Sequence, residues 1–328
     1  EVEPEDVEWV WLGRIVRGKL HLLIGDPGMG KSRVTLDEAS RITRGAPWPD
    51  GGNAPLGNVL ILTAEDGLAD TVRPIVEALG GDPSRITILE AIKEQGVERY
   101  FSLERDLPHL ETAILRTSPT LIVIDPLSAY LGRVDSYKDS EIRGLLMPLA
   151  MLAARHRVAI KGVVHLTKDR NRQALYRALG SVGFVAAARI VFAVGKDPEN
   201  EHRRLLVPVK NNLGPPAPAL AFMLGDQTLT WEPGVIEGIE ADDVLGILDS
   251  SEKRAERRDA EAFLQELLQG GEIAAAEAIA AAEANGLSRS ALFRARRRLG
   301  IQAIRRGGVA EKGAWFWQLP TPDSPSGK

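Results

Sequence analysis

Cysteine is absent from this chain of 328 residues, and histidine occurs only five times. Without cysteine there can be no disulfide bond and no thiolate metal site. The five histidines are scattered and offer no tight ligand cluster, so a structural metal ion is not expected. The fold must therefore depend on its hydrophobic core, and 44% apolar residues over this length are enough to build one.

Long apolar runs and a dominant charge are also missing. No stretch approaches the roughly 20 apolar residues that span a bilayer, and the acidic start at residues 1–4 lacks the parts of a signal peptide. We therefore expect a cytoplasmic protein with no membrane partner. The net charge of -4 and the pI near 5.9 provide no general attraction for nucleic acid, so such contacts must come from local basic patches.

Apolar runs alternate with helical stretches over the first half of the chain. This alternation predicts an α/β fold with a mainly parallel sheet. Beyond residue 188, β-branched runs between turn residues predict antiparallel hairpins that extend the sheet. The predicted strands of the first half are 20–25, 58–63, 85–89, 121–125 and 159–165, and the predicted helices are 31–44, 68–79, 107–117 and 140–157.

The C-terminal part is rich in alanine, glutamate and arginine at helical spacing from residue 251 onward. Three helices are predicted at 251–269, 272–284 and 288–299, followed by two strands within 303–319. Three helices and a hairpin in this order indicate a small winged helix-turn-helix domain. We therefore predict a large α/β domain over 1–240, a linker over 241–250, the winged-helix domain over 251–320 and a disordered tail over 321–328.

Residues 25–32 match the phosphate-loop pattern, with Lys31 and Ser32 at its end, between a predicted strand and a predicted helix. Backbone N–H groups of such a loop close around phosphates, the lysine adds charge and the serine hydroxyl binds magnesium. The alternative, a glycine-rich turn, leaves the Lys-Ser pair without a purpose. We predict ATP and Mg²⁺ as cofactors, held by Gly25, Asp26, Pro27, Gly28, Met29, Gly30, Lys31, Ser32 and Arg33.

A carboxylate follows each of two other predicted strands. Asp125 ends the run 121–125, where it suits contact with magnesium; a turn-forming role is the alternative. Because Pro126 comes next, the acid that activates the attacking water must lie elsewhere. Glu65 follows strand 58–63 at the same edge of the sheet, and we predict it as the general base, with a solvated loop acid as the alternative.

His165 ends the fifth predicted strand, again at that edge. Its imidazole could hydrogen-bond the γ-phosphate and report its loss, although a lone histidine at a strand end is often a structural residue. We predict His165 as the group that senses the state of the nucleotide.

These four segments, in this order, resemble the RecA-like ATPases, and most closely the replicative helicases of the RepA family, relatives of DnaB and KaiC. The resemblance covers about residues 10–232. It implies a RecA-like ATPase domain in which Glu65 is the catalytic base and His165 couples the phosphate state to nucleic acid. It further implies a homo-oligomer, as a hexameric ring, that hydrolyses ATP and acts on single-stranded DNA.

The same resemblance implies cationic fingers that reach into the ATP site of a neighbouring subunit, where they stabilise transition-state charge. Arg189 and Lys210 fit this role best, and each could instead be a surface cation. DnaB-like proteins often carry Lys-x-Arg where this chain has Lys210 and Asn212. The arginine role could therefore belong to Arg189 alone.

Two loops of RecA-like rings face the central channel, and their counterparts here are basic. Tyrosines at 130, 137 and 176 would add base stacking to backbone neutralisation of single-stranded DNA; ordinary solvated loops are the alternative. The cations of the first loop are Arg133 and Lys138, and those of the second are Lys168, Arg170, Arg172 and Arg177.

Basic residues also concentrate in the C-terminal part, where residues 285–312 hold eight Lys or Arg against one acid. Helix 288–299 is then a candidate recognition helix for duplex DNA, with the wing contacting phosphate. Winged helices also mediate protein contacts, and such a unit does not belong to the RepA core. The predicted DNA-binding residues here are Arg289, Arg294, Arg297 and Arg306, with Lys312 as a further wing cation.

The leading hypothesis is a ring-forming DNA motor of the replicative-helicase type. The alternative is a DNA-bound regulator or recombination mediator that uses ATP as an assembly switch without unwinding. A small-molecule kinase is disfavoured, because the sequence shows no lid and no acceptor pocket.

Overall fold

The computed structural model describes residues 6–94, 97–135, 138–166, 182–198, 200–245, 251–306 and 314–320. These residues fall into two compact units, one within 1–236 and 241–247, the other within 237–240 and 248–328. In this described part of the chain, no helix is both long and apolar enough to cross a lipid bilayer.

The first unit combines strands and helices in alternation. Its helices are α1 (Lys31–Ile42), α2 (Arg73–Ala78), α3 (Leu107–Thr117), α4 (Asp139–Arg155), α5 (Val182–Ala187) and α6 (Ala241–Val244). Its strands are β1 (Trp9–Trp11), β2 (Ile15–Val16), β3 (Leu20–Gly25), β4 (Asn58–Thr63), β5 (Ile86–Ile88), β6 (Ala91–Glu94), β7 (Val97–Tyr100), β8 (Pro119–Asp125), β9 (Ala159–His165), β10 (Ile190–Asp197), β11 (Asn200–Asn211), β12 (Leu220–Leu224) and β13 (Leu229–Trp231).

Nine of these strands form one sheet, in the order β13-β12-β11-β10-β3-β9-β8-β4-β5. From β10 to β5 every neighbouring pair is parallel, whereas β11, β12 and β13 add antiparallel strands beyond β10. The predicted α/β fold, with a mainly parallel sheet and an antiparallel extension, is therefore confirmed. The hairpins β1-β2 and β6-β7 lie outside this sheet and were not predicted.

Alternate residues of the central strands face opposite sides of the sheet. Leu23, Val59 and Val123 belong to one buried cluster with α1 and α2. Helices α3 and α4 contact β4, β3 and β9 and bury side chains that lie outside that cluster, among them Leu110 and Leu146. Helices therefore cover both faces, which explains why the central strands are mostly apolar, with His21 and Lys161 as buried polar exceptions.

A buried ion pair joins α1 to β9. The Lys161 Nζ lies 2.6 Å from each carboxylate oxygen of Glu38, and both side chains are almost fully buried. Burial raises the pKa of Glu38 and lowers the pKa of Lys161, so each charge depends on the other for its stabilisation.

Breaking this pair is expected to be costly. Glu38→Ala should lower the free energy of unfolding by about 3–5 kcal/mol, because it leaves the Lys161 ammonium buried without a counter-charge. The double variant Glu38→Met/Lys161→Met should stay near the native value, because methionines fill a similar volume without charge. Urea unfolding measures both, and a double variant as unstable as the single one would contradict this account.

The predicted linker over 241–250 begins with a helix. Helix α6 contacts β10, where the backbone of Gly195 approaches Val244 so closely that a Cβ at residue 195 would lie 2.6 Å from its Cγ1. Residues 241–244 therefore belong to the first unit, because β10 offers them a packing surface that the local sequence does not reveal.

The second unit contains α7 (Ser251–Leu268), β14 (Ile273–Ala274), α8 (Ala275–Ala284), α9 (Arg289–Arg298), β15 (Gln302–Arg306) and β16 (Ala314–Gln318). Its strands form an antiparallel sheet in the order β14-β16-β15. Leu264, Leu292 and Trp317 are central to its core. The predicted second helix starts later than expected, because Ile273 and Ala274 pair with β16.

Candidate nucleotide-binding site

Four strands bring the predicted chemistry to one edge of the sheet. Strands β3, β9, β8 and β4 are parallel neighbours, so their carboxyl ends coincide. The register pairs Gly25 with His165 and Thr63 with Asp125. Glu65, two residues beyond Thr63, lies near His165, with 3.8 Å between Oε2 and Nε2. The structure therefore gathers the phosphate loop, Asp125, Glu65 and His165 around one location.

The phosphate loop has the backbone that its glycines predict. Gly28 and Gly30 have positive φ angles of 74° and 93°, which residues with a Cβ rarely adopt. Gly25 is needed for close approach, because a Cβ there would lie 2.3 Å from the carbonyl oxygen of Val194. Helix α1 begins directly after Gly30, so its positive end is directed at the loop.

Lys31 is buried beneath this loop. Its Nζ donates to the carbonyl oxygens of Gly25, at 2.9 Å, and Asp26, at 2.8 Å. Burial lowers the pKa of Lys31 to about 8, against the opposing influence of Asp125, Asp26 and Glu65. The ammonium is thus desolvated and held among oxygen atoms, an arrangement that suits exchange for the oxygens of a phosphate.

Asp125 is buried beside Ser32, and the two side chains are hydrogen-bonded. Burial raises the pKa of Asp125 to about 6, and the negative charge of Asp66 adds to this effect. A buried carboxylate paired with a hydroxyl provides the oxygen donors that magnesium prefers. The residues present therefore fit a magnesium ion, which Ser32 and Asp125 would hold and which would neutralise phosphate charge.

The raised pKa of Asp125 predicts a pH-dependent stability. Its unfolded-state pKa is near 3.8, so the folded protein binds more protons between pH 4 and 6 and loses stability as the pH rises through that window. Asp125→Asn should therefore be more stable than the native protein by about 2–3 kcal/mol at pH 7, and the difference should vanish near pH 4. Urea unfolding at both pH values, without nucleotide, measures this; equal native and variant stability at pH 7 would contradict it.

Glu65 and His165 differ in their surroundings. The Glu65 side chain is 62% exposed and therefore open to water, whereas His165 is 27% exposed. Burial and the nearby Lys31 lower the pKa of His165, and its Nδ1 is buried without a hydrogen-bond partner among the described residues. An uncharged imidazole with a free nitrogen can bind a ligand in this position.

Arg33, the last residue of the predicted phosphate site, is bound to a turn of the chain beside the loop. Its guanidinium donates to the carbonyl oxygens of Gly225, at 3.5 Å, and Asp226, in the turn between β12 and β13. Leu224, the last residue of β12, lies close to Gly30. A Cβ at that glycine would lie 2.9 Å from Cδ1 of Leu224. This turn borders the phosphate loop and could not be recognised from the sequence.

Arg189 and Lys210 lie at the other end of the strands from the phosphate loop, where β3 and β10 begin. Strand β10 is parallel to β3, and the Arg189 N–H donates to the carbonyl oxygen of Leu20, where β3 begins. The Lys210 Nζ donates to the carbonyl oxygens of Val185 and Ala188, both at 2.8 Å. The length of β3, roughly 16 Å, separates these cations from the phosphate loop of their own chain.

The structure changes one expectation for the first channel loop. Tyr130, predicted to stack on bases, is only 1% exposed and packs edge-on against Phe101, because it lies in the tight turn that directly follows β8. Arg133 is exposed, and Lys138 forms an ion pair of 2.9 Å with Glu141. The predicted loop residues Tyr137, Lys168, Arg170, Arg172, Tyr176 and Arg177 lie outside the described residues.

The C-terminal arginines are largely engaged in ion pairs. Arg289 contacts Glu283 at 2.8 Å, and Arg306 contacts Glu272 at 2.8 Å; both arginines remain mostly exposed. Arg294 is only 14% exposed and lies 3.6 Å from Glu240, and Arg297 is half-buried. Lys312 lies outside the described residues. Arg289 and Arg306 are therefore the more accessible of the four predicted DNA contacts.

A phosphate loop and a buried aspartate at the same end of a sheet with this strand order define the class of RecA-like P-loop ATPases. The sequence model of the AAA domain family matches residues 1–171, and the chain belongs to that family.

Named relatives agree with this class. The DNA repair protein RadA of Streptococcus pneumoniae is 26% identical over 172 residues, 52% of this chain and 35% of RadA. RadA of Bacillus subtilis is 24% identical over 160 residues, 48% of this chain and 30% of that protein. The chain therefore spans no more than 35% of the length of these relatives.

A solved structure shares the fold. The KaiC-like protein of Pyrococcus horikoshii superposes with a TM-score of 0.52 at 17% identity, over 70% of this chain and 100% of that protein. The likeness concerns the arrangement of strands and helices.

Proposed function

We propose that this protein is an ATP-hydrolysing motor that acts on single-stranded DNA as an oligomeric ring, in the manner of the RepA-type replicative helicases. The observation that carries the proposal is the common edge at which Lys31, Asp125, Glu65 and His165 meet. A general base just beyond β4, the neighbour of the strand that ends in Asp125, takes the place of the acid that is missing at Pro126.

Each side chain has a distinct role in the proposed hydrolysis. Lys31 and the loop N–H groups would bind the phosphates, and Ser32 and Asp125 would hold magnesium. Exposed Glu65 accepts a proton from the attacking water. His165, next to Glu65, contacts the γ-phosphate through its free Nδ1 and loses that contact after hydrolysis.

The positions of Arg189 and Lys210 support a ring. Both lie at the sheet edge opposite the phosphate loop, so they can complete only the site of a neighbouring chain. If the end of one chain that carries Arg189 contacts the phosphate-loop end of the next chain, the repeated head-to-tail contact closes into a ring when the rotation between neighbours permits it. We propose a hexamer. Because the Lys210 Nζ is engaged with two carbonyl oxygens, Arg189 is the better finger.

DNA contacts complete the proposal. Arg133, Lys138 and the cations of residues 168–172 would line the channel for single-stranded DNA. The second unit, whose helices and three-stranded sheet follow the order of a winged helix, would bind duplex DNA through Arg289 and Arg306 and less directly through Arg294 and Arg297.

A second candidate is a recombination mediator that uses ATP as an assembly switch. The names of the matching relatives, DNA repair proteins, favour it. Strand displacement distinguishes the two candidates, because only a helicase separates a labelled duplex with a single-stranded tail.

The test combines ATP turnover with and without single-stranded DNA and strand displacement. Strong stimulation, by about tenfold or more, together with strand displacement supports the helicase. Stimulation without displacement supports the mediator. Turnover that is independent of DNA, or no turnover, would contradict both.

Mixing variants tests the shared site. Arg189→Ala and Lys31→Ala chains should each be inactive alone but partly active when mixed, because some interfaces then join an intact Lys31 to an intact Arg189 of the neighbour. Arg143→Ala, an exposed arginine lining the same groove as Arg189, serves as the control and should stay active alone. Absence of any recovery in the mixture would argue against the trans finger.

A further inference from the structure

A short acidic segment lies on helix α9 of the second unit. Residues 237–240, with the sequence Glu-Gly-Ile-Glu, belong to this unit, whereas residues 241–247 belong to the first. Ile239, near the middle of the segment, is only 8% exposed. Because α9 is the candidate recognition helix for duplex DNA, the position of this segment bears on how DNA can bind.

Helix α9 has an inner and an outer face. The inner face carries side chains that are fully buried in the core of the second unit, namely Ala291, Leu292 and Ala295. With about 3.6 residues per turn, Phe293 and Arg297 then lie on the outer face. Arg294 and Arg296 lie on its two flanks. A recognition helix must present such an outer face to a groove of DNA.

The acidic segment crosses this outer face from one flank to the other. The carboxylate of Glu240 lies 3.6 Å from the guanidinium of Arg294, and the carboxylate of Glu237 lies 3.9 Å from that of Arg296. Gly238 lies between the two acids. With the segment in this position, the side chains of Arg294 and Arg296 are only 14% and 24% exposed.

Gly238 brings the segment into close contact with the helix. Its φ angle is +69°, which residues with a Cβ rarely adopt. A Cβ at residue 238 would lie 2.1 Å from the Cβ of Phe293 and 2.9 Å from the carbonyl carbon of that residue. The backbone of α9 cannot move aside as the end of a flexible side chain can. A side chain at residue 238 would therefore displace the segment from the helix.

Carboxylates and phosphates compete for the same arginines, because both present paired oxygens to the N–H groups of a guanidinium. At 3.6 and 3.9 Å, the two contacts of the segment are longer than the roughly 2.7–2.9 Å of a strong charge-assisted hydrogen bond. Ion pairs of this kind contribute little stability. The denser negative charge of a DNA backbone can therefore replace them.

We propose that residues 237–240 are a competitor, built into the chain, for the duplex-DNA surface of α9. In the structure they occupy this surface, and when duplex DNA binds they leave it, so that Arg294, Arg296 and Arg297 contact phosphates. This inference rests on the proposed DNA binding by the second unit, to which it adds a means of regulation and the residue Arg296. The apparent affinity for DNA is then the intrinsic affinity reduced by the fraction of chains in the open state.

Gly238→Ala tests the competitor without changing any charge. The added methyl group should displace the segment, so the affinity of the full chain for a short fluorescent duplex should rise by about tenfold in an anisotropy titration. Gly234→Ala is the matched control. Gly234 has a similar φ angle of +88°, but a Cβ there would meet no atom within 4 Å in the described part of the chain. The control therefore introduces the same backbone strain and should keep the native affinity.

A second variant removes the charges of the segment instead. Glu237→Gln/Glu240→Gln should raise the affinity by about threefold to tenfold, because both ion pairs are lost. The slope of log affinity against log salt concentration should steepen by about two, because two arginines become available to phosphates. Glu266→Gln/Glu277→Gln removes the same charge from exposed positions on α7 and α8 and should change the affinity by less than about twofold.

A double-mutant cycle shows whether the gain arises on α9. Arg294→Gln should weaken DNA binding by Gly238→Ala about threefold, because that variant has lost the segment and uses Arg294 for phosphate. In the native chain the same change should have little effect, since the lost phosphate contact is offset by the lost contact with Glu240.

Three results would overturn the inference. They are an affinity of Gly238→Ala no higher than that of Gly234→Ala, a glutamine pair that gains no more than its control pair, and an equal effect of Arg294→Gln in both backgrounds. If circular dichroism shows that Gly238→Ala does not fold, the glutamine pair and its salt dependence decide.

The same titrations separate this inference from the proposed function. If neither the native chain nor any variant binds the duplex, the proposed DNA binding fails and the competitor fails with it. If the native chain binds and Arg289→Ala/Arg306→Ala weakens that binding, the proposed DNA binding stands. In that case, the absence of a gain in Gly238→Ala and in the glutamine pair removes only the competitor.

Discussion

Lys31→Met should lower the affinity for ATP by about 100-fold, because charge-assisted bonds from the ammonium to phosphate oxygens contribute about 3 kcal/mol. The variant should remain folded. Burial lowers the pKa of Lys31 to about 8, so the folded protein without nucleotide disfavours the charge that methionine removes. Isothermal titration with ATP measures the affinity.

The pH dependence of unfolding gives an independent check on Lys31. Between about pH 8 and 10.5 the unfolded chain binds more protons at this residue than the folded chain, so native stability should rise with pH in that window. Lys31→Met should lack this rise. Lys19→Met, which removes a lysine directly before β3 at the opposite edge, should retain both ATP binding and the rise. Native affinity in Lys31→Met would exclude the phosphate loop as the binding site.

Glu65→Gln should lower the rate of ATP hydrolysis by about 100-fold or more, because the amide cannot accept a proton from the attacking water. The affinity for ATP should change little, since the Glu65 side chain is mostly exposed. Single-turnover hydrolysis and equilibrium binding, measured on the same preparation, separate the two effects.

Glu90→Gln is the control for Glu65. Glu90 is an exposed acid just beyond β5, the outermost parallel strand, and it therefore shares the edge of the sheet but not the site. Hydrolysis by Glu90→Gln should equal the native rate. A Glu65→Gln variant that hydrolyses ATP as fast as this control would remove Glu65 from the mechanism.

Much of the fold was predictable because its signals are local. Buried parallel strands are mostly apolar, and a polar or turn-forming residue follows each apolar run here, so β3, β4, β8 and β9 could be located within one or two residues. The short hairpins β1-β2 and β6-β7 carry no such run, and their pairing depends on contacts that the local sequence does not specify.

The errors have a common physical origin. Tyr130 looks like a loop aromatic when read beside Arg133, yet the turn after β8 directs it towards Phe101. Residues 241–244 look like a linker, yet they pack on β10 as a helix. In both cases burial by a distant segment outweighed local composition.

The sequence by itself determined the phosphate loop of residues 25–32 and the order of strands and acids along the chain, because these depend on neighbouring residues and fixed spacing. Only the tertiary structure decided which strands are neighbours, and hence that Gly25 lies beside His165 and that Arg189 lies at the far edge. Strand order is set by the packing of the whole sheet, which no single segment encodes. The burial that shifts the pKa of Lys31 and Asp125 likewise exists only after the sheet has formed.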